Sequence, residues 1–208
     1  YRRRNPRNKF QNVVRLKMEK RLLIIDSNAL LHRAFHALPP LKTAAGQETG
    51  AVYGFLLTLF KAINDLKANY IVACFDTKAQ TFRREMFKEY KAQRAATPTG
   101  IVSQIPIAKE VLEAFKIPVF AKDGFEADDL IATICAKVSD MEIFIVSGDL
   151  DNTQLVSDNV KVYTLGKGIK DTVIYDINKV RERFGIEPKQ MVDYKALTGD
   201  QSDNIPGV

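Results

Sequence analysis

The chain has 208 residues, 46% hydrophobic and 27% charged, with two cysteines and two histidines. This composition suits one soluble domain, or one plus a fragment, and no apolar run approaches the roughly 20 residues that cross a bilayer, so no membrane partner is expected. The net charge of +6 misleads: residues 1–21 hold nine Lys or Arg against Glu19, a local +8, which leaves −2 for the rest.

That first stretch is expected to be a basic extension over 1–17, disordered or partly helical, with Met18 as a candidate natural start. Its excess of arginine over acids resembles a transit peptide, without the serine enrichment. Cys74 and Cys135 both sit in apolar runs and read as small core residues in a reducing, cytoplasmic setting. No zinc spacing exists.

The first element is Arg21-Leu22-Leu23-Ile24-Ile25, a continuous apolar strand ending in Asp26. Such a run predicts a strand buried on both faces, as in a parallel sheet. Residues 27–38 then read as a helix that Pro39-Pro40 stops. His32 and His36 lie on it at i, i+4 without partner ligands and read as surface or packing residues. Residues 51–67 keep helical apolar spacing. A second strand, Tyr70 to Phe75, ends in Asp76.

A basic segment follows, with Lys78, Arg83, Arg84, Lys88, Lys91 and Arg94 interleaved by Phe82, Phe87 and Tyr90, up to Thr97-Pro98-Thr99-Gly100. A helix over 103–115 and a strand over 117–120 lead to Gly124-Phe125-Glu126-Ala127-Asp128-Asp129-Leu130, which opens another helix. Glu142 to Val146 is the next strand, followed by Asp149 and Asp151. Val160–Thr164 and Thr172–Tyr175 read as strands at the sheet edge, Asp176 caps a helix ending at Gly185, and Pro188 opens a helix to Thr198. The closing Pro206-Gly207 turn reads as interrupted before a further element.

Strands alternating with helices imply a three-layer α/β fold around a mostly parallel sheet. In such a sheet the acids that follow strands share one edge, where ligands bind. Those are Asp26, Asp76, Glu126, Asp128, Asp129, Asp149 and Asp151, and Asp200 and Asp203 add a pair on the terminal loop. Any one of them alone reads as a cap or turn former. Together, converging carboxylates repel and need cations. Oxygen ligands favour Mg²⁺, with Mn²⁺ as a substitute, and their number suggests two ions acting on phosphates. An acidic pit beside a basic, aromatic-bearing segment suits a phosphodiester polymer. Walker A, GxGxxG and GxSxG motifs are absent.

Leu23-Ile24-Ile25-Asp26, Arg33-Ala34-Phe35-His36-Ala37-Leu38, Ala51-Val52-Tyr53-Gly54-Phe55, Phe75-Asp76, Phe82-Arg83-Arg84-Glu85, Tyr90-Lys91-Ala92-Gln93-Arg94, Glu126-Ala127-Asp128-Asp129 and the run from Thr198 to Val208 occur in order. This series resembles the 5′-to-3′ exonuclease (flap endonuclease) domain at the N-terminus of bacterial DNA polymerase I, from about Glu19 to the last residue. The resemblance implies a PIN-like catalytic domain over 18–185 and the beginning of a helix-hairpin-helix region over 186–208. It implies hydrolysis of DNA at 5′ ends, flaps or nicks with two Mg²⁺ ions, a polymerase region further along the native chain, and a nucleoid-associated location. Asp26, Asp76, Glu126, Asp128, Asp129 and Asp149 match acids nearer the first ion, and Asp151, Asp200 and Asp203 those of the second. Arg33, Arg84, Lys91 and Arg94 match residues that orient the scissile phosphate. Arg83, Lys88, Tyr90, Ser202 and Asn204 are further candidate nucleic-acid contacts, with Tyr90 as a stacking residue, and residues 78–100 match a helical arch.

Where family members read Gly-Asp-Lys-Asp-Leu, this chain has Gly148-Asp149-Leu150-Asp151-Asn152. The acids stay and a basic side chain is replaced. Three other readings compete: a metal-dependent ribonuclease of this fold, a non-catalytic nucleic-acid-binding domain, and a receiver-like domain, which needs fewer acids than the nine here.

Overall fold

The computed structural model describes residues 20–166 and 171–208; the extension expected over 1–17 lies outside the described residues. Six strands form one sheet: β1 Arg21–Asp26, β2 Tyr70–Cys74, β3 Val119–Phe120, β4 Glu142–Val146, β5 Val160–Leu165 and β6 Thr172–Tyr175, in the order β3-β2-β1-β4-β5-β6. The ladders are parallel except for β5 with β6. The chain runs outward from β1 to β3 on one side, then from β4 to β6 on the other. The reversal between β1 and β4 is the switch point of a doubly wound sheet, where strand carboxyl ends open a crevice.

The helices are α1 Ser27–Ala37, α2 Gly50–Leu66, α3 Phe82–Met86, α4 Thr99–Val102, α5 Gln104–Ala114, α6 Ala127–Lys137, α7 Ile177–Phe184 and α8 Met191–Thr198, with 3₁₀ turns at Leu150–Leu155 and Pro188–Gln190. Strand alternation divides β1 between two cores. Leu23 and Ile25 pack with Leu31, Phe55, Leu59 and Leu112 from α1, α2 and α5. Leu22 and Ile24 pack with Ile131 and Val180 from α6 and α7. Helices therefore cover both faces, giving the three layers the alternation predicts. Both cysteines are free; Cys74 is buried in the second core and Cys135 packs against it.

Close packing sets particular residues. At Gly54 an added Cβ would stand 2.7 Å from the Ala34 Cβ, so the missing side chain lets α2 close on α1. Phe55, 0% exposed, fills the space beside it. Phe55→Ala is expected to cost about 3–5 kcal/mol, read as a lower urea midpoint. A loss under about 1 kcal/mol would show that the core closes over the gap.

Several boundaries differ from expectation. β5 lies inside the sheet, paired to β4 as well as β6, and of these two strands β6 alone is at an edge. The helix expected over 103–115 is α5, with the short α4 as an extra turn before it, and Pro106 falls in the first turn of α5, where no intrahelical donor is lost. The helix expected from Pro188 opens as a 3₁₀ turn before α8. Over 78–100 only α3 and the start of α4 are helical. No α3 residue is buried, Lys91 takes a left-handed φ of +55°, and Pro98 disfavours helix at Thr97.

Candidate active site

The strand ends deliver the acids as β1, β2 and β4 run out. Asp26 closes β1 and caps α1: its Oδ1 accepts from Ala29 N at 3.2 Å and its Oδ2 from Ser147 Oγ at 2.6 Å. Asp76 follows β2, and its Oδ1 accepts from Ala127 N at 2.7 Å, which ties it to the start of α6. Asp128 sits in the first turn of α6, and its Oδ1 accepts from Asn152 Nδ2 at 3.2 Å. Asp149 caps the turn after β4, with its Oδ1 accepting from Asp151 N at 2.9 Å.

These four acids line one cavity of about 1110 Å³. Among the described residues no lysine or arginine forms an ion pair with any of them. Burial, more than anything else, pushes the Asp26 carboxyl up to about 6; the bonds from Ser147 and Ala29 pull the other way, and Asp76 and Asp149 add repulsion. Burial likewise lifts Asp128 to about 7, with Asp26 and Asp149 repelling it. The interior of the cavity is a knot of negative charge without a counter-charge.

The remaining acids are neutralised. Arg83 grips Asp129 through two bonds of 2.7 Å; burial pushes this carboxyl up, but Arg83 pulls it below its usual range. Glu126 Oε2 accepts from Lys91 Nζ at 2.9 Å and Tyr90 OH at 3.1 Å. Asp203 pairs with Arg94, and Lys91 Nζ stands 3.8 Å away. Lys195 Nζ bridges Asp151 and Asp200, 2.8 Å from each. Burial raises Asp151 above its ordinary value, against the pull of Lys195. Burial also acts to raise Asp200, yet Lys195 and Ser202 hold it down at about 2.

The terminal loop is folded against the basic segment. Lys91 N donates to Asp203 O at 3.0 Å, Gln93 Nε2 to Gln201 O at 2.7 Å, and Asn204 Nδ2 to Glu89 O at 3.0 Å. Gly199, at φ +72°, allows the turn; a Cβ there would meet Gly207 N at 2.4 Å.

The cavity thus gathers Asp26, Asp76, Glu126, Asp128, Asp149, Asp151 and Asp203 with Arg83, Tyr90, Lys91, Arg94 and Ser202. Asp200 lines a smaller adjoining cavity of about 260 Å³. Asp129 lines neither and faces Arg83 instead. Arg84 and Lys88 are exposed outside both linings, Arg33 donates to the Gly166 carbonyl, and Asn204 is held by Glu89. Among the described residues no group of three or more acids, imidazoles or thiols is disposed as a ready-made ligand set. Uncompensated carboxylates repel, and each is held singly by its own donor.

Sequence reading missed Ser147, Asn152 and Lys195. The position of Ser147 directly after β4 was a usable signal; the long-range partners of the other two had none. His32, read as a surface or packing residue, lines the large cavity. Burial, then neighbouring His36, lowers its pKa.

Residues 21–185 match the family described as 5′-3′ exonuclease, N-terminal resolvase-like domain. The chain is 43% identical over 193 residues to DNA polymerase I of Bacillus caldotenax, covering 92% of this chain and 22% of that protein. It is 41% identical over 191 residues to a 5′-3′ exonuclease of Aquifex aeolicus, covering 91% of this chain and 65% of that one. The chain therefore spans about a fifth of the polymerase it matches. Its fold is similar to that of the bacteriophage T5 flap endonuclease in a pseudo-enzyme-product complex with DNA and metal ions, with a TM-score of 0.69 and 24% identity, over 91% of this chain and 70% of that one. Among the described residues no helix is long and apolar enough to cross a membrane.

Proposed function

The chain belongs to the 5′-3′ exonuclease family through its N-terminal resolvase-like domain, and from that premise we propose that it is a structure-specific 5′ nuclease. Its substrate is DNA with 5′ ends, flaps or nicks, and its native context is the N-terminal part of a DNA polymerase I-like protein in replication and repair. Residues 186–208 begin the helix-hairpin-helix region that grips duplex DNA. The observation that carries the reading is the uncompensated set Asp26, Asp76, Asp128 and Asp149 in the same cavity as Lys91, Arg94 and Arg83.

The donors are carboxylate oxygens, which suit Mg²⁺ or Mn²⁺, and Asp26 and Asp128, raised first by burial and then by neighbouring acids, are carboxylates whose charged form a cation would favour. Asp26, Asp76, Asp128 and Asp149, with Glu126 beside them, would hold the inner ion, while Asp129 stays with Arg83. Asp151, Asp200 and Asp203 would hold the outer. Bound there, divalent ions supply Lewis acidity and lower the pKa of water.

The chain's own residues bind and orient. Lys91 and Arg94 leave Glu126 and Asp203 for phosphate oxygens, a charge-assisted exchange of one anion for another. Tyr90, 8% exposed, donates to Glu126 and supports Lys91, whose Nζ lies 4.8 Å from the Tyr90 ring. Arg83 holds Asp129 and stiffens the start of α6. Arg33, Arg84, Lys88, Ser202 and Asn204 contact the strand further out.

Cleavage of matched flap, nicked and single-stranded DNA, and of RNA, with Mg²⁺ and with excess EDTA tests the reading. Flap and nicked DNA are expected to be cut in Mg²⁺, and EDTA should return every rate to background. Full activity in EDTA would defeat the proposal, and preferential cutting of RNA would replace it with the ribonuclease reading.

A further inference from the structure

The two groups of acids differ in one respect that their spacing along the chain does not show. Asp26, Asp76, Asp128 and Asp149 form no ion pair among the described residues, whereas Asp151 and Asp200 share an ammonium group. Lys195 projects from the last turn of α8 with its side chain 35% exposed, and its Nζ is 2.8 Å from Asp151 Oδ1 and 2.8 Å from Asp200 Oδ2. Asp200 is fixed as well from the other side, where Oδ1 accepts from Ser202 N at 2.8 Å and Ser202 Oγ at 2.7 Å. All three charged side chains line the smaller cavity, which shares Asp151, Asp203, Arg83 and Tyr90 with the larger. A monovalent cation thus stands equidistant between two carboxylates, on a wall continuous with the inner acids.

We propose that Lys195 is the resident cation of the outer metal position and competes with the divalent ion there; this rests on the two-ion reading above. The ammonium occupies the place between Asp151 and Asp200 and keeps the two acids from repelling each other. A divalent ion entering that place displaces it, and the flexible four-carbon stem lets the head swing into the open cavity. Among the described residues, Asp26, Asp76, Asp128 and Asp149 of the inner position have no such competitor. The two ions therefore bind with unequal affinity, inner before outer, and the outer affinity is set by Lys195. Partly exposed pairs of this kind are individually weak. Losing two such pairs corresponds to roughly tenfold in an equilibrium constant.

The test is Mn²⁺ titration of the whole chain, with free Mn²⁺ followed by electron paramagnetic resonance, on the parent, Lys195→Met and Lys195→Arg. Each protein is also melted in EDTA and in saturating Mn²⁺. The parent is expected to bind two ions. Lys195→Met should bind the second about tenfold more tightly with the first unchanged, and should melt lower in EDTA but gain more from Mn²⁺. Lys195→Arg, which keeps the competing charge, should stay near the parent. A second-site affinity unchanged or weakened in Lys195→Met would overturn the proposal alone and leave Lys195 as a strut between α8 and the 150–155 turn. A single bound ion in all three proteins would overturn it together with the two-ion reading. If Lys195→Met shows no cooperative melting, Lys195→Gln, neutral and polar, decides by the same titration.

Discussion

Asp128→Asn should abolish cleavage and yet raise the melting temperature of the metal-free protein. Asp128 lies in the interior acid group, and burial followed by repulsion from Asp26 and Asp149 lifts it to about 7 from an ordinary 3.8. A carboxyl whose folded pKa stands above its unfolded value prefers to be protonated in the native state. Its penalty is absent below about pH 4, grows as pH rises towards 7, and is complete above that. At pH 8 without metal the ionised group costs on the order of 2–4 kcal/mol, by about 1.4 kcal/mol per pH unit. Asparagine has nearly the same shape, its Oδ1 keeps the bond from Asn152 Nδ2, and it carries no charge. The variant is therefore expected to melt roughly 5 °C higher in EDTA, since about 1 kcal/mol shifts a chain of this size by 2–4 °C. With Mg²⁺ the order reverses, because the parent gains more from the ion than the variant does. Loss of a ligand from the reacting centre removes several kcal/mol of transition-state stabilisation, about 10³-fold or more in rate. Single-turnover cleavage and melting with and without Mg²⁺ check both halves. An active variant, or one that melts below the parent in EDTA, would make Asp128 a structural cap.

The elements that place this site were legible because their signal is local. The uninterrupted run Leu22 to Ile25 announced a strand covered on both faces, and β1 is central in the sheet, with helices over each side. Asp26, Asp76 and Asp149 follow strands directly, so the parallel sheet alone was enough to bring them to one edge. What was not legible is the division of the acids. Asp128 and Asp129 are neighbours, yet one faces the bare interior and the other is gripped by Arg83, because successive positions on a helix point 100° apart and the partner is 46 residues away. The pairing of Asp151 with Lys195 spans a similar separation and depends on where α8 docks. The basic segment departs for a related reason: the resemblance implied a helical arch over 78–100, but none of α3 is buried, and without an apolar face to bury a short helix does not propagate. β5 was placed at the edge, whereas its neighbours are set by tertiary topology.

Lys91→Met should lower the single-turnover rate by about 10²–10³-fold, in the range that removing one preorganised donor produces, with the fold intact. Lys91 is held ready by three contacts. Its N–H donates to Asp203 O at 3.0 Å, its Nζ donates to Glu126 Oε2 at 2.9 Å, and the same Nζ stands 3.8 Å from Asp203 Oδ2. Methionine keeps the apolar stem against Tyr90 and faces the same left-handed backbone, so neither packing nor φ strain changes sign. What is lost is one positive charge at the cavity wall. The ion pair with Glu126 has side-chain exposures of 26% and 13%, and its loss should cost only about 1 kcal/mol of stability. Arg94→Met removes the partner of Asp203 and should act in the same direction, with a weaker salt dependence of DNA binding in both variants, because each removes a phosphate contact. The acids do not bind DNA, so the DNA affinity of Asp128→Asn should be equal to or tighter than the parent's in the same assay, while both cation variants bind more weakly. Unchanged single-turnover rates in Lys91→Met and Arg94→Met would show that these side chains serve only to tie the 88–94 turns to the terminal loop. A melting temperature in either variant more than about 10 °C below the parent's would make the same point through stability.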